Sequence, residues 1–142
     1  VRALLDVNLL IALFDADHVH HVRAWSWFEV EGRHGWATCP LTQNGCLRVM
    51  SQPGYPNAVP LPTMMERLRA AVAAPEHAFW PDDASLLDPG RFDAARVHGP
   101  RQITDLYLLG LAVAHGGRLA TFDEGIPLSA VRGAQARHLV RV

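Results

Sequence analysis

Short apolar runs alternate along this chain with segments of helical period, and two of the runs end on a carboxylate. Arg2 to Asp6 reads as a buried strand closing on Asp6, and Arg118 to Phe122 as another closing on Asp123. Directly after the first run the apolar spacing changes: Leu9, Leu10, Leu13 and Phe14 share one stripe of a helix over Val7 to Ala16. Short strands that alternate with helices cannot pair as hairpins. They imply a mainly parallel sheet covered on both faces, a three-layer α/β/α sandwich.

The remaining elements follow the same logic. A second helix is expected from His20 to Glu31, opened by Asp17 or His18 and stopped by Gly32. Gly35 to Cys39 reads as the second strand. A third helix begins around Pro40 to Thr42, with Thr42 as its cap, and runs to about Ser51. Four prolines and a glycine make Gln52 to Pro62 a loop, followed by a helix over Pro62 to Ala74 that Pro75 closes. His77 to Trp80 is a further strand, and residues 81–100 are a loop with one helical turn. The clearest helix is Ile103 to His115, capped by Thr104 and ended by Gly116 and Gly117. His138 to Val142 is expected to be an edge strand. No repeat, linker or low-complexity stretch divides the chain, so residues 1–142 are expected to form one domain.

Composition excludes several classes of chemistry. The 142 residues are 49% hydrophobic and 19% charged, a size that buries roughly 68–70% of the unfolded surface without help from disulfides or a structural metal. A formal charge of -1 provides no strong field toward nucleic acid or an anionic membrane. Every basic residue is Arg, which removes Schiff-base chemistry on lysine and a Walker-type phosphate loop. Cys39 and Cys46 match neither a zinc knuckle nor a redox pair and are expected to be reduced, half-buried thiols in a cytoplasmic protein. The apolar run Leu4 to Phe14 is interrupted by Asp6 and Asn8 and is too short for a membrane span.

The acids carry the functional argument. In parallel sheets, chemistry gathers beyond the carboxyl ends of the strands, where Asp6 and Asp123 fall, and Asp105 lies in the first turn of the strongest helix. Two like charges 4 Å apart repel by about 4 kcal/mol at an effective dielectric near 20. Such a cluster persists when a cation neutralises it or some of the acids hold protons. Oxygen-only ligation suits Mg²⁺ or Mn²⁺ better than zinc, and such ions serve phosphodiester hydrolysis. Taken singly, Asp105 is equally a helix-start acid and Asp123 a turn residue. Asp6, inside an apolar run, demands a partner.

Four segments together resemble the motifs of PIN-domain ribonucleases. They are Leu4 to Leu13, Thr42 to Val49, Ile103 to Leu109 and Leu119 to Asp123, which in order cover nearly the whole chain. Their size and style are similar to the VapC toxins of bacterial toxin–antitoxin pairs. The resemblance implies that Asp6, Asp105 and Asp123 bind Mg²⁺, with Mn²⁺ able to substitute, and position a water for attack on RNA, leaving a 5′-phosphate. Gln43 stands where the second motif usually supplies an acid; its carbonyl can still orient a water or ligate weakly, but brings no charge. Asp82, Asp83 and Glu124 are candidate substitutes. Asn8 and Thr121, next to the strand-end acids, are candidates to hold those carboxylates in place, or else make ordinary turn and cap bonds. The resemblance further implies a VapB-type antitoxin partner, with an arginine docking on the acids, and a homodimer.

Other features are less specific. His18, His20 and His21 do not face one another on a helix, and read as a solvated helix start rather than a metal site. Trp25, Trp27 and Phe28 place aromatics on two faces of the second helix, one for the core and one for a loop or partner. Arg96, His98, Arg101, Arg132, Arg137 and Arg141 are candidate phosphate contacts, Arg101 foremost, or simply solvated charges. Two other function classes compete. One is a catalytically weakened PIN-fold module that binds RNA or protein, favoured by Gln43. The other is phosphotransfer from an Asp at the end of the first strand, opposed by Asn8 two residues on and by the lack of lysine.

Overall fold

The computed structural model describes all residues, Val1–Val142. Five strands form one wholly parallel sheet in the order β3-β2-β1-β4-β5: β1 Ala3–Leu5, β2 Trp36–Thr38, β3 His77–Phe79, β4 Arg118–Thr121 and β5 Leu139–Arg141. The chain runs outward from β1 through β2 to β3, then returns to the other side of β1 for β4 and β5. The strand order therefore reverses between β1 and β4, the crevice where ligands of such sheets gather.

Alternation along β1 divides the core in two. Ala3 and Leu5 enter one cluster with Leu9, Leu10, Cys46, Met50 and Met64, whereas Leu4 joins Leu106, Leu109 and Leu119 in the other. The first cluster is roofed by α1 Val7–Phe14, α2 His21–Glu31, α3 Pro40–Ser51 and α4 Leu61–Val72, and the second by α5 Ile103–Ala114. This is the expected three-layer α/β/α sandwich.

Several local expectations need correction. Asp6 does not lie within β1; it is the N-cap of α1, and its carboxylate accepts the Val7 N–H at 2.7 Å. Thr42 is not the cap of α3. Cys39 holds that position, and Thr42, three residues on, accepts the Cys39 N–H at 3.0 Å through its hydroxyl. Nor does Thr104 cap α5, which starts from Gln102 with no side-chain cap bond. Cys39 and Cys46 are wholly rather than half buried, and burial pushes the Cys46 thiol up to about 12, which makes it inert. The proline-rich segment ends one residue earlier than expected, because Pro60 caps α4 and Pro62 sits in its first turn, where a missing N–H costs nothing.

α2 is a peripheral helix, with only Ala24 fully buried. It nevertheless completes α1. His21 Nδ1 lies 2.7 Å from the Ala12 carbonyl, and Trp25 donates to the Leu13 carbonyl at 2.9 Å, so two end-of-helix acceptors are met by side chains. His20 instead packs against Phe122 at 4.9 Å between ring centroids. His18 Nδ1 in turn accepts the His20 N–H at 3.0 Å, so the three half-buried histidines make local structural contacts rather than forming a solvated helix start.

Gly45 sets how closely α3 approaches α1. A Cβ there would meet Val7 Cγ2 at 2.7 Å. Gly45→Ala gains up to about 1 kcal/mol of helix propensity, but overpacking of this kind costs about 1–3 kcal/mol. The substitution is expected to lower stability in urea unfolding, and Val7→Ala in the same chain to relieve the loss.

Candidate active site

The β1–β4 register builds the centre of the site. Leu5 pairs with Ala120, and the Asp6 N–H donates to the Ala120 carbonyl at 3.0 Å, so Asp6 and Thr121 emerge side by side. Thr121 donates its hydroxyl proton to Asp6 Oδ2 at 2.7 Å and accepts the Asp123 N–H at 3.1 Å. One buried hydroxyl therefore links two of the acids. Asp123 turns back after β4, with its carboxylate accepting the Gly125 N–H at 2.8 Å.

Asp105 arrives from the opposite layer, in the first turn of α5. Gln102 ties that helix start to the loop after β4: its amide donates to the Gly125 carbonyl at 2.9 Å and its own carbonyl accepts the His98 N–H at 3.2 Å. Asp6, Asp105 and Asp123 line one cleft together with Val7, Asn8, Arg48, Thr104 and Phe122. No Cys or His side chain lines it. Arg23 lies over the Phe122 ring, with its guanidinium carbon 4.9 Å from the centroid.

The electrostatics are those of crowded acids. Burial pushes the Asp6 carboxyl up, opposed by the bonds from Thr121 and Val7 and reinforced by the charge of Asp123. Asp105 is pushed up to about 7, first by burial, then by its hydrogen bond with Asp123 and by the charges of Asp6 and Asp123. Asp123 is lowered by the Gly125 N–H and by Asp105. Asp105 and Asp123 therefore titrate as an interacting pair, in which protonation of Asp105 is favoured over that of Asp123.

This cleft suits a hard divalent cation chemically: its charged acceptors are carboxylate oxygens, and their mutual repulsion contributes to raising the Asp105 pKa. The carboxylates are not gathered round a ready-made point, since no three His, Cys, Asp or Glu side chains meet in an arrangement that would hold an ion as they stand.

The other expected residues are placed as follows. Gln43 does not line the cleft; its amide donates to Thr38 at 3.0 Å, and the Thr38 hydroxyl lies 2.8 Å from His77 Nε2. Gln43 is about 200° round α3 from Gly45, which faces α1. Asn8 lines the cleft and is exposed, and the expected bond from its side chain to a carboxylate is not made. None of the candidate substitutes reaches the acids. Asp82 takes the Leu41 N–H at 3.2 Å and the Tyr107 hydroxyl at 2.9 Å, Asp83 pairs with His115 at 2.9 Å, and Glu124 pairs with Arg141.

Arg101 is exposed in the turn before α5, outside the cleft lining. Of the other candidate cations, Arg96 is engaged by Asp93 at 3.4 Å, Arg132 by the Pro89 carbonyl at 2.6 Å and Arg137 by Gln135 at 2.9 Å. Sequence reasoning missed Arg48 and Gln102. Arg48 lies within the second motif, three residues after Gly45, and that spacing on one helix face was the available signal.

Residues 3–132 match the family model described as PIN domain. The chain belongs to the PIN-domain family. It is 50% identical to Ribonuclease VapC44 of Mycobacterium tuberculosis over 139 residues, 98% of each chain, and 41% identical to Ribonuclease VapC39 of the same organism over 134 residues, 94% of this chain and 96% of that one. A solved structure of VapBC2 from Rickettsia felis, bound to a DNA fragment from the promoter, has a similar fold, with TM-score 0.57, 12% identity and coverage of 87% of this chain and 89% of that one. The PIN fold accounts for the parallel sheet, from which Asp6 follows β1 and Asp123 follows β4, with Asp105 in the first turn of α5.

A raised carboxyl pKa makes the metal-free PIN domain less stable as pH rises. The folded protein keeps a proton on Asp105 that the unfolded chain releases, so this contribution is complete below about pH 4 and lost by the time pH passes about 7. Thermal melts in chelator are expected to show Asp105→Asn matching the parent near pH 4 and exceeding it at pH 8.

Proposed function

We propose that this chain is a metal-dependent endoribonuclease and the toxin of a toxin–antitoxin pair. The observation that carries the reading is the single cleft lined by Asp6, Asp105 and Asp123 in a PIN domain whose relatives are VapC ribonucleases. In this reading those three carboxylates hold Mg²⁺, or Mn²⁺ in its place, and the ion supplies a charge that activates water and stabilises the phosphorane-like transition state. Asp6 would be held in place for this role by Thr121 and the Val7 N–H, with Asp105 and Asp123 supplying the other carboxylates. A water would attack phosphorus and lose a proton to solvent, the bond between phosphorus and the 3′ oxygen would break, and that oxygen would take a proton from solvent, leaving a 3′-hydroxyl and a 5′-phosphate.

A VapB-type antitoxin fits a second feature. An apolar cavity of about 420 Å³ opens between α1, α2 and the end of α4, lined by Leu10, Leu13, Phe14, Trp25, Phe28 and Trp36 among others, with Glu29, Arg33 and Glu76 also present. Trp25 remains 39% exposed there, which leaves an aromatic surface for a partner segment. A homodimer and a cytoplasmic setting complete the reading; no helix is long and apolar enough to cross a membrane. Gln43 favours one alternative, a weakened PIN-fold module that binds RNA or protein without cleaving, because it brings no charge where the second motif usually supplies an acid.

Asp6→Asn separates the two readings, since Asn is as good a helix cap as Asp and spares the fold. The parent is expected to cleave structured RNA in Mg²⁺ or Mn²⁺, and the variant to lose at least about 100-fold in rate, the scale of losing one charged group acting in the transition state. Equal activity, or none in either protein, would leave the binding-module reading. Trp25→Ala is expected to weaken antitoxin binding, measured by calorimetry, while RNA cleavage persists.

A further inference from the structure

Arg48 is a cation on the wall of an acidic cleft, yet it is paired with none of the acids. It lies in the last turn of α3, is exposed, and lines the cleft with Asp6, Asp105 and Asp123. Four other arginines, Arg91, Arg96, Arg118 and Arg141, are in ion pairs with carboxylates. Arg48 is in no ion pair and makes no side-chain hydrogen bond. The cleft acids have other partners: Asp6 holds Thr121 and the Val7 N–H, and Asp123 holds the Gly125 N–H.

Its aim follows from α3. Gly45 lets that helix close on Val7, itself a cleft residue, and Arg48 is three residues later on the same face. The guanidinium therefore offers five N–H donors to a space from which carboxylates would repel a phosphate. Its planar fork matches two non-bridging phosphate oxygens. A Lys ammonium would be a point charge without that fork.

We propose that Arg48 is the phosphate clamp of the cleft, binding the non-bridging oxygens of an RNA phosphodiester lying over the three acids. The inference rests on the nuclease reading for its substrate, but its test does not need cleavage. A labelled single-stranded RNA oligonucleotide is titrated with the Asp6→Asn protein, with and without Arg48→Ala, at several salt concentrations between about 50 and 300 mM. Arg48→Ala is expected to weaken binding about tenfold and to reduce the slope of log affinity against log salt by about 0.7, the value for one lost phosphate contact on a single strand. Arg48→Lys is expected to keep the slope and lose part of the affinity. Arg69→Ala, on the exposed face of α4, is expected to change neither.

In the cleaving protein, Arg48→Ala is expected to raise KM about tenfold with an unchanged melting temperature. A helix-end charge acting only on α3 would shift stability and leave the salt slope alone. An unchanged slope and affinity for Arg48→Ala, or no binding by the Asp6→Asn protein at low salt, overturns the clamp. If the parent fails to cleave while the slope falls as expected, the nuclease reading fails and the clamp stands.

Discussion

The hydrogen bond from Thr121 to Asp6 is the constraint around which this molecule is arranged. A carboxylate 6% exposed at the end of the central strand has lost most of its water and must be satisfied by the protein. Two groups do so, a hydroxyl from the neighbouring strand and the first N–H of the following helix. The N–H is local, but the hydroxyl depends on register: a slip of one residue between β1 and β4 would turn Thr121 to the opposite face and leave Asp6 with the Val7 N–H alone. The same hydroxyl accepts the Asp123 N–H, so the pairing that buries one acid also positions the second.

Charge is handled differently at the two layers. On the strand side, Asp6 and Asp123 are held by donors that favour ionisation. On the helix side, Asp105 has no such donor, and burial together with the neighbouring acids pushes its carboxyl up to about 7. The site is therefore asymmetric before any ion enters, with two fixed acids and one that switches. The Gln102 amide keeps the switching acid in reach by joining the start of α5 to the turn that carries Asp123.

Much of this was legible in the sequence because it is local. Apolar runs ending on Asp6 and Asp123, and the helical period after Ile103, identify strands, helix and acids from neighbours alone. The caps were misread where tertiary contacts decide. Thr42 looks like a cap by residue type, but Cys39, which follows the strand directly, takes the position. The second motif was harder still. Gln43 and Arg48 sit in one short segment, and only the closure of α3 on Val7, allowed by Gly45, turns Arg48 to the acids and Gln43 to Thr38. Gln102 carried no signal, since its partner is 23 residues away in a loop.

The eight residues of α1 border both the acidic cleft and the apolar cavity, with Val7 and Asn8 at one end and Leu10, Leu13 and Phe14 toward the other. At 1.5 Å per residue the helix is only about 12 Å long. A polypeptide seated in the cavity could therefore extend to the acids with roughly four stretched residues, at about 3.3 Å each. Occupancy of one surface and access to the other are thus joined by the shortness of a single rigid rod, and a tether of that length needs no change of shape in the fold beneath it.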